Sequence, residues 1–179
     1  MNFGSEKEVK EKFLKLVEKF MFKIVPDRLT RLFGEGVAIA LLYDMVREGS
    51  RELARELLND LPRNDLKSVI EAFLNLTRMV NGDFDYSVNG GEVLELTIRK
   101  CPHSEYIDKA PYRCIACIAT LSGFIEGTDR RVQVVYGNRK VGNMKPDVVI
   151  EMNEHMPLGH KRCVMRISER KRLPQLSSP

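Results

Sequence analysis

Four cysteines and three histidines carry the most reactive side chains of this 179-residue chain, and all seven lie between Cys101 and Cys163. They are Cys101, His103, Cys114, Cys117, His155, His160 and Cys163, and the hundred residues before Cys101 contain neither type. Such a cluster suits a metal. Zinc takes thiolates or neutral imidazoles in a tetrahedron, and structural sites usually draw four ligands from two or more elements. Cys114-x-x-Cys117 alone is a weak signal, since two cysteines on a core-facing helix pack as small hydrophobes as often as they chelate. Cys101 strengthens it, because it sits where a strand ends and can reach out of a sheet. The run His155-Met156-Pro157-Leu158-Gly159-His160-Lys161-Arg162-Cys163 strengthens it further, with a glycine able to fold the loop back on itself. A low-pKa redox pair helped by Arg113 and a helix start at Cys114 is a second possible chemistry. Nucleophilic attack by a Cys–His pair is a third, although the spacing singles out no particular pair.

The elements that must position these groups follow from hydrophobic period. Ser5 and Glu8 form a capping box that should open a helix. Val9, Phe13, Leu16, Val17, Phe20 and Ile24 make its apolar stripe, and Pro26 should end it. Val37 to Glu48 is apolar nearly all round in its first half and predicts a buried helix, with a ligand pocket between Val37–Tyr43 and the sheet. Gly49 should stop that helix, and Ser50 should cap another through Leu58. Leu66 to Val80 reads as an amphipathic helix between breaks at Pro62 and Gly82. Phe84 to Val88 and Val93 to Ile98 read as strands joined by a tight turn at Asn89-Gly90-Gly91. Pro102 and Pro111 bracket a loop or short helical turn. Arg113 to Glu126 predicts a helix rich in small residues, packed closely on a sheet and ending at Gly127. Val132–Tyr136, Asp147–Met152 and Cys163–Ile167 predict strands. Gly137 to Pro146 reads as a polar loop. Helices followed by strands around one helix predict an α+β fold with an antiparallel sheet packed against helices. The organisation expected is a helical segment over 1–82, an α+β segment over 83–168 sharing its core, and a flexible tail over 169–179.

Apolar residues make up 43% of the chain and charged ones 30%, the balance of a soluble globular protein. No apolar run approaches the ~20 residues of a membrane span. Met1 to Glu8 lacks the order of a signal peptide, so the expected compartment is the cytoplasm, where thiols stay reduced. The net charge of +4 includes a local excess at Lys161, Arg162, Arg166, Arg170, Lys171 and Arg172, read as a solvated basic tail. Direct nucleic-acid binding is not expected. Gly34-x-Gly36 lacks the rest of a phosphate loop. Glu126, Glu151 and Glu154 read as surface carboxylates, and Tyr106, Tyr112, Phe124 and Tyr136 as core aromatics.

Three stretches carry a resemblance to a known family. They are Leu94-x-Leu96-x-Ile98-Arg99-Lys100-Cys101-Pro102; Cys117 with Gly123-Phe124-Ile125-Glu126-Gly127; and His155-x-x-x-Gly159-His160-x-x-Cys163-Val164-Met165-Arg166-Ile167. Together they resemble the vinyl-4-reductase-type, or hydrocarbon-binding, domain over about residues 84–168. His155 stands where that family has the first cysteine of its final loop. The gap around Gly137 to Pro146 is longer than usual, and no glutamate stands three residues before His155. The same region is similar to aminothiazoline-carboxylate hydrolases, with His160 in place of their aspartate. The resemblance implies a pocket between a helical layer and a sheet, a hydrophobic small-molecule ligand and a homodimer. It puts Cys163 and His155 at the family's ligand positions; Cys101 at its strand end and Cys114 and Cys117 on one helix face complete the zinc candidates, five for four places, with His160 as the alternative histidine.

The leading expectation is therefore a hydrophobic-ligand binding or sensing protein with a structural zinc. One alternative is a zinc- or cysteine-dependent hydrolase. Another is a protein-assembly module, similar to the vesicle-tethering subunits of this fold, for which an exposed apolar patch would be the sign.

Overall fold

The computed structural model describes residues 5–57, 65–81, 85–101, 103–107 and 110–170. Leu58, Pro62, Gly82, Phe84, Pro102 and most of the expected tail lie outside them. Ser5 opens helix α1 (Glu6–Lys19) with the capping box its sequence calls for. A π-helical turn, Phe20–Ile24, runs on into α2 (Val25–Leu57). Pro26 does not end this helix. It sits in the first turn of α2, just past the widened π turn, where a residue without an N–H is tolerated. Gly49 does not stop the helix either, because a mid-helix glycine costs only about 1 kcal/mol, and Ser50 and Ala54 beyond it are buried. The break falls at Gly34, whose φ of 77° lies in the left-handed region.

Helix α3 (Leu66–Asn81) starts at Asp65, whose carboxylate accepts from the Lys67 and Ser68 amides. Strands β1 (Asp85–Gly90) and β2 (Val93–Lys100) form the expected hairpin, with Asn89 opposite Glu95 and Gly90 at φ 106°. The short helix α4 (Ser104–Ile107) and a 3-10 turn (Pro111–Cys114) lead into α5 (Ile115–Glu126). Strands β3 (Val132–Tyr136), β4 (Arg139–Gly142), β5 (Val148–Glu154) and β6 (Cys163–Glu169) complete the chain.

The fold is α+β, and its six-stranded sheet has the order β1-β2-β6-β5-β3-β4. The sheet is mixed rather than antiparallel, since β3 and β5 run parallel, Val134 facing Ile150. One unforeseen strand accounts for this. Residues 137–146 were expected to be a loop, yet they contain β4, which pairs back on β3 and returns the chain to the end where β3 began. The following strand must then run in the direction of β3.

Helix α5 is buried almost all round. Its closest neighbour is α2, not the sheet. A Cβ on Gly123 would lie 2.1 Å from the Arg47 carbonyl oxygen, and one on Gly127 would lie 2.5 Å from Ala54 Cβ. Polar ties fix the crossing. Tyr43 and Ser122 share a buried hydroxyl–hydroxyl hydrogen bond of 2.7 Å, and Arg47 Nη1 donates to Glu126 Oε2 at 2.8 Å. Glu126 is thus a buried structural carboxylate rather than a surface one, and it also accepts from the Val132 amide. Asp27 accepts from Arg113 through both oxygens, at 2.8 and 2.7 Å, and from the Tyr112 hydroxyl, which anchors the start of α2 beside the entry to α5. The core joins both halves of the chain, with Ile39, Leu42, Leu74, Ile118, Ile125, Ile150 and Ile167 fully enclosed.

Candidate functional site

The reactive residues do come together, around one cavity of about 200 Å³. Cys101 follows β2, and Cys163 opens β6 opposite Ile98 of β2. Cys114 ends the 3-10 turn at the head of α5, with Cys117 in the first turn of that helix. His155 follows β5, and His103 precedes α4. Gly159, at φ 96°, reverses the loop as its position suggested. The Met156 amide then donates to Cys163 Sγ at 3.4 Å, so His155 and Cys163 are held as neighbours by one short loop. His160 is exposed and does not line the cavity. The remaining walls are Phe22, Phe73, Leu74, Thr77, Leu96, Ile98, Ile118, Thr120, Leu121, Met152, Met156 and Met165. The cavity therefore lies among α3, the head of α5 and one end of the sheet. It does not lie under Val37–Tyr43 as expected, where Val37 and Leu41 are instead exposed.

Five proposed metal ligands share this wall, but they do not form a coordination sphere. Among the described residues, no three Cys, His, Asp or Glu side chains converge as ligands of a metal ion would. That arrangement gives the expected structural zinc no support, and Cys101, Cys114, Cys117, His155 and Cys163, read from sequence as its ligands, are brought together only as parts of one cavity wall. The thiols are also not poised for nucleophilic or redox work. Burial pushes Cys101 up to about 11 and raises Cys114, Cys117 and Cys163 as well, so near neutral pH they are thiols rather than thiolates. Arg113 does not activate Cys114, because its guanidinium is committed to Asp27 and to the Tyr106 carbonyl.

The histidines share this dryness. Burial lowers both His103 and His155 to about 4, with His160 adding a little for His155. His103 stacks on Phe22 with ring centroids 3.8 Å apart. His155 Nδ1 lies 3.3 Å from the Tyr136 hydroxyl, and burial raises that phenol far above its ordinary value. Either group can donate here; in the tautomer whose Nδ1 accepts from the phenol, the imidazole proton sits on Nε2. Among the described residues, the cavity lining contains no Asp, Glu, Lys or Arg. The site can hold an apolar molecule and present a few neutral polar atoms to it.

A second feature was only half legible. The apolar stripe of α1 forms as expected, yet none of the helix's residues is buried. Phe13 is 62% exposed and Leu16 59%, and Phe20 and Ile24 continue the stripe into the π turn. Beside it, Phe20, Met21, Val25, Leu42, Met45, Val46 and Leu53 line an apolar groove of about 570 Å³ between the π turn and α2. Sequence period gives the stripe, but it carries no signal of whether the covering surface lies within the same chain.

No protein-family model and no curated protein matches the chain. Among solved structures it is similar to a trafficking protein particle complex subunit 3 from Naegleria fowleri covalently bound to palmitic acid, with a TM-score of 0.60 and 14% identity over 89% of this chain and 98% of that one. At that identity the likeness is one of fold. It corrects the resemblance drawn from sequence: the fold is that of a trafficking-complex subunit, and neither the vinyl-4-reductase-type domain nor the hydrolase family is supported. Among the described residues, no helix is long and apolar enough to cross a membrane.

Proposed function

We propose that this protein is a subunit of a protein assembly, docking through the apolar face formed by α1, the π turn and the exposed side of α2. That no residue of α1 is buried carries this reading. A helix of about 14 residues is marginal on its own in water, and a stripe with two exposed phenylalanines, Phe13 and Phe20, calls for a covering surface. The fold it shares with a subunit of a trafficking complex supports the same reading.

A second copy of the chain suits this face. Lys12, Lys19 and Lys23 border the stripe of α1 on one side, while Glu52 and Glu56 accompany Leu41 and Met45 along the exposed side of α2, where Asp44 and Glu48 already pair with Arg47 and Arg51. Lys12, Lys19 and Lys23 of one copy can meet Glu52 and Glu56 of the other when two copies pair. The protein is expected to run as a dimer in light scattering after size exclusion. Phe13→Asp, on a fully solvated helix, should leave the fold intact by circular dichroism and yield monomer. A wild-type monomer at tens of micromolar would refute the homodimer. Unchanged behaviour of Phe13→Asp would refute the use of this face.

The cavity supports a second role, the holding of a hydrophobic ligand within the subunit. Its uncharged lining of thiols, methionines and aliphatic residues is the observation that favours it, and the similar trafficking subunit holds a lipid chain.

A further inference from the structure

The cavity contains two polar atoms that the fold itself leaves unused. His155 is 4% exposed and His103 is 8% exposed. His155 Nε2 and His103 Nδ1 are both fully enclosed and have no hydrogen-bond partner among the described residues. Both side chains line the cavity, whose other walls are aliphatic, aromatic, thioether, thiol and hydroxyl groups. Buried polar groups are almost always satisfied, so two orphans on residues that line one apolar space point to an occupant that satisfies them.

The chemistry of that occupant follows from the walls. In the tautomer whose Nδ1 accepts from the Tyr136 hydroxyl, His155 offers an N–H donor at Nε2. No Lys or Arg stands in the described lining to neutralise an anion, and no Asp or Glu to neutralise a cation. A bare carboxylate or ammonium would enter at the full cost of its desolvation. The volume of about 200 Å³ is that of about seven waters at ~30 Å³ each, enough for one ring with a short substituent. We propose that the cavity selects a compact, uncharged apolar molecule whose single polar atom is an acceptor oxygen of the ketone or ester class, received by His155 Nε2–H with His103 beside it. This inference rests on the reading of the cavity as a ligand site and adds the ligand's chemical class.

Three probes of matched shape test it on the full chain: acetophenone, cumene and benzoate. Met152, Met156 and Met165 line the cavity, so ¹³C-methyl NMR of labelled methionines reports occupancy directly. Acetophenone is expected to bind about tenfold more tightly than cumene, the increment of one buried hydrogen bond, and benzoate at neutral pH should leave the three methyls unmoved. His155→Phe should bring acetophenone down to the level of cumene and leave cumene unchanged. Tyr136→Phe, a gentler change, should shrink the same preference by freeing the His155 tautomer. Cumene binding as tightly as acetophenone, benzoate binding best, or a preference that survives both substitutions would each overturn the proposal while leaving a ligand cavity in place. Failure of all three probes to move the methyls would overturn the ligand-site reading itself.

Discussion

Replacing Gly123 by alanine places a Cβ 2.1 Å from the Arg47 carbonyl oxygen, 2.9 Å from its carbonyl carbon and 2.8 Å from Ser50 Cβ. Two of these atoms are backbone and cannot swing away. An ordinary carbon–oxygen contact needs about 1 Å more, so α2 and α5 must separate by roughly that distance. Overpacking of this kind costs about 1–3 kcal/mol. The separation also stretches the Tyr43–Ser122 hydrogen bond, now 2.7 Å, and the Arg47–Glu126 pair, now 2.8 Å. Losing the first costs about 1 kcal/mol, and loosening the second leaves a buried carboxylate short of a partner at about 1–3 kcal/mol. Alanine returns about 1 kcal/mol through its helix propensity. The net expectation is a loss of about 2–6 kcal/mol. Gly49→Ala is the internal control. It lies in α2, has helical backbone and has nothing within 4 Å of where a Cβ would sit, so the same change should stabilise by up to about 1 kcal/mol. Urea unfolding followed by circular dichroism gives both values from midpoints at constant slope. Equal stability of Gly123→Ala and wild type, or a loss at Gly49→Ala as large as that at Gly123→Ala, would refute the reasoning.

Acid should weaken the fold through the cavity histidines. Both have folded values near 4, below the ordinary 6.5, so the unfolded chain binds more protons between those limits. Stability is then full above about pH 6.5 and falls as pH drops toward 4, by about 3 kcal/mol for each histidine. Urea midpoints measured from pH 7 to 4.5 should show this decline, and the same series on His155→Phe should be flatter; parallel curves would argue against a dry imidazole. The thiols give an independent reading. Cys101 is raised from 9.0 to about 11, which leaves about 100-fold less thiolate at pH 8. Alkylation by iodoacetamide, followed site by site by mass spectrometry, should therefore be slow in the folded protein and fast in denaturant, and rapid modification of the folded thiols would contradict a dry cavity.

Local rules served the elements well wherever one residue type decides the geometry. The Ser5–Glu8 box and the Gly159 bend act within a few residues and formed as their sequence implied; the hairpin formed too, but its reversal falls at Gly91-Glu92, with Asn89 and Gly90 still paired in β1. The gathering of Cys101, Cys114, Cys117, His155 and Cys163 around one space was also legible, because strand ends, a helix head and a reversed loop leave few ways to arrange them. What they do there was not. Clustered soft ligands read as zinc on residue type alone, whereas coordination depends on distances and directions that spacing does not carry. Pro26 and Gly49 misled for a related reason. Their cost is local and small: Pro26 sits in a first turn that needs no N–H from it, and burial of Ala38, Leu42, Ser50 and Ala54 along the helix past Gly34 overrides Gly49. Strand β4 escaped because Arg139-Lys140-Val141-Gly142 is too short and too polar to alternate visibly. Its parallel consequence for β3 and β5 could not then be inferred.

The polar ties between α2 and α5 span long stretches of sequence, 79 residues for Tyr43–Ser122 and for Arg47–Glu126. During synthesis, α2 is therefore complete at Leu57 long before α5 ends at Glu126. At ribosomal rates of about 5–20 residues per second, that interval lasts roughly 3–14 seconds. Throughout it, Ile39 and Leu42, destined for the core, have no α5 to cover them, and the outer stripe of α1 stays bare for longer still. The nascent helical arm is thus a natural client for a holding chaperone.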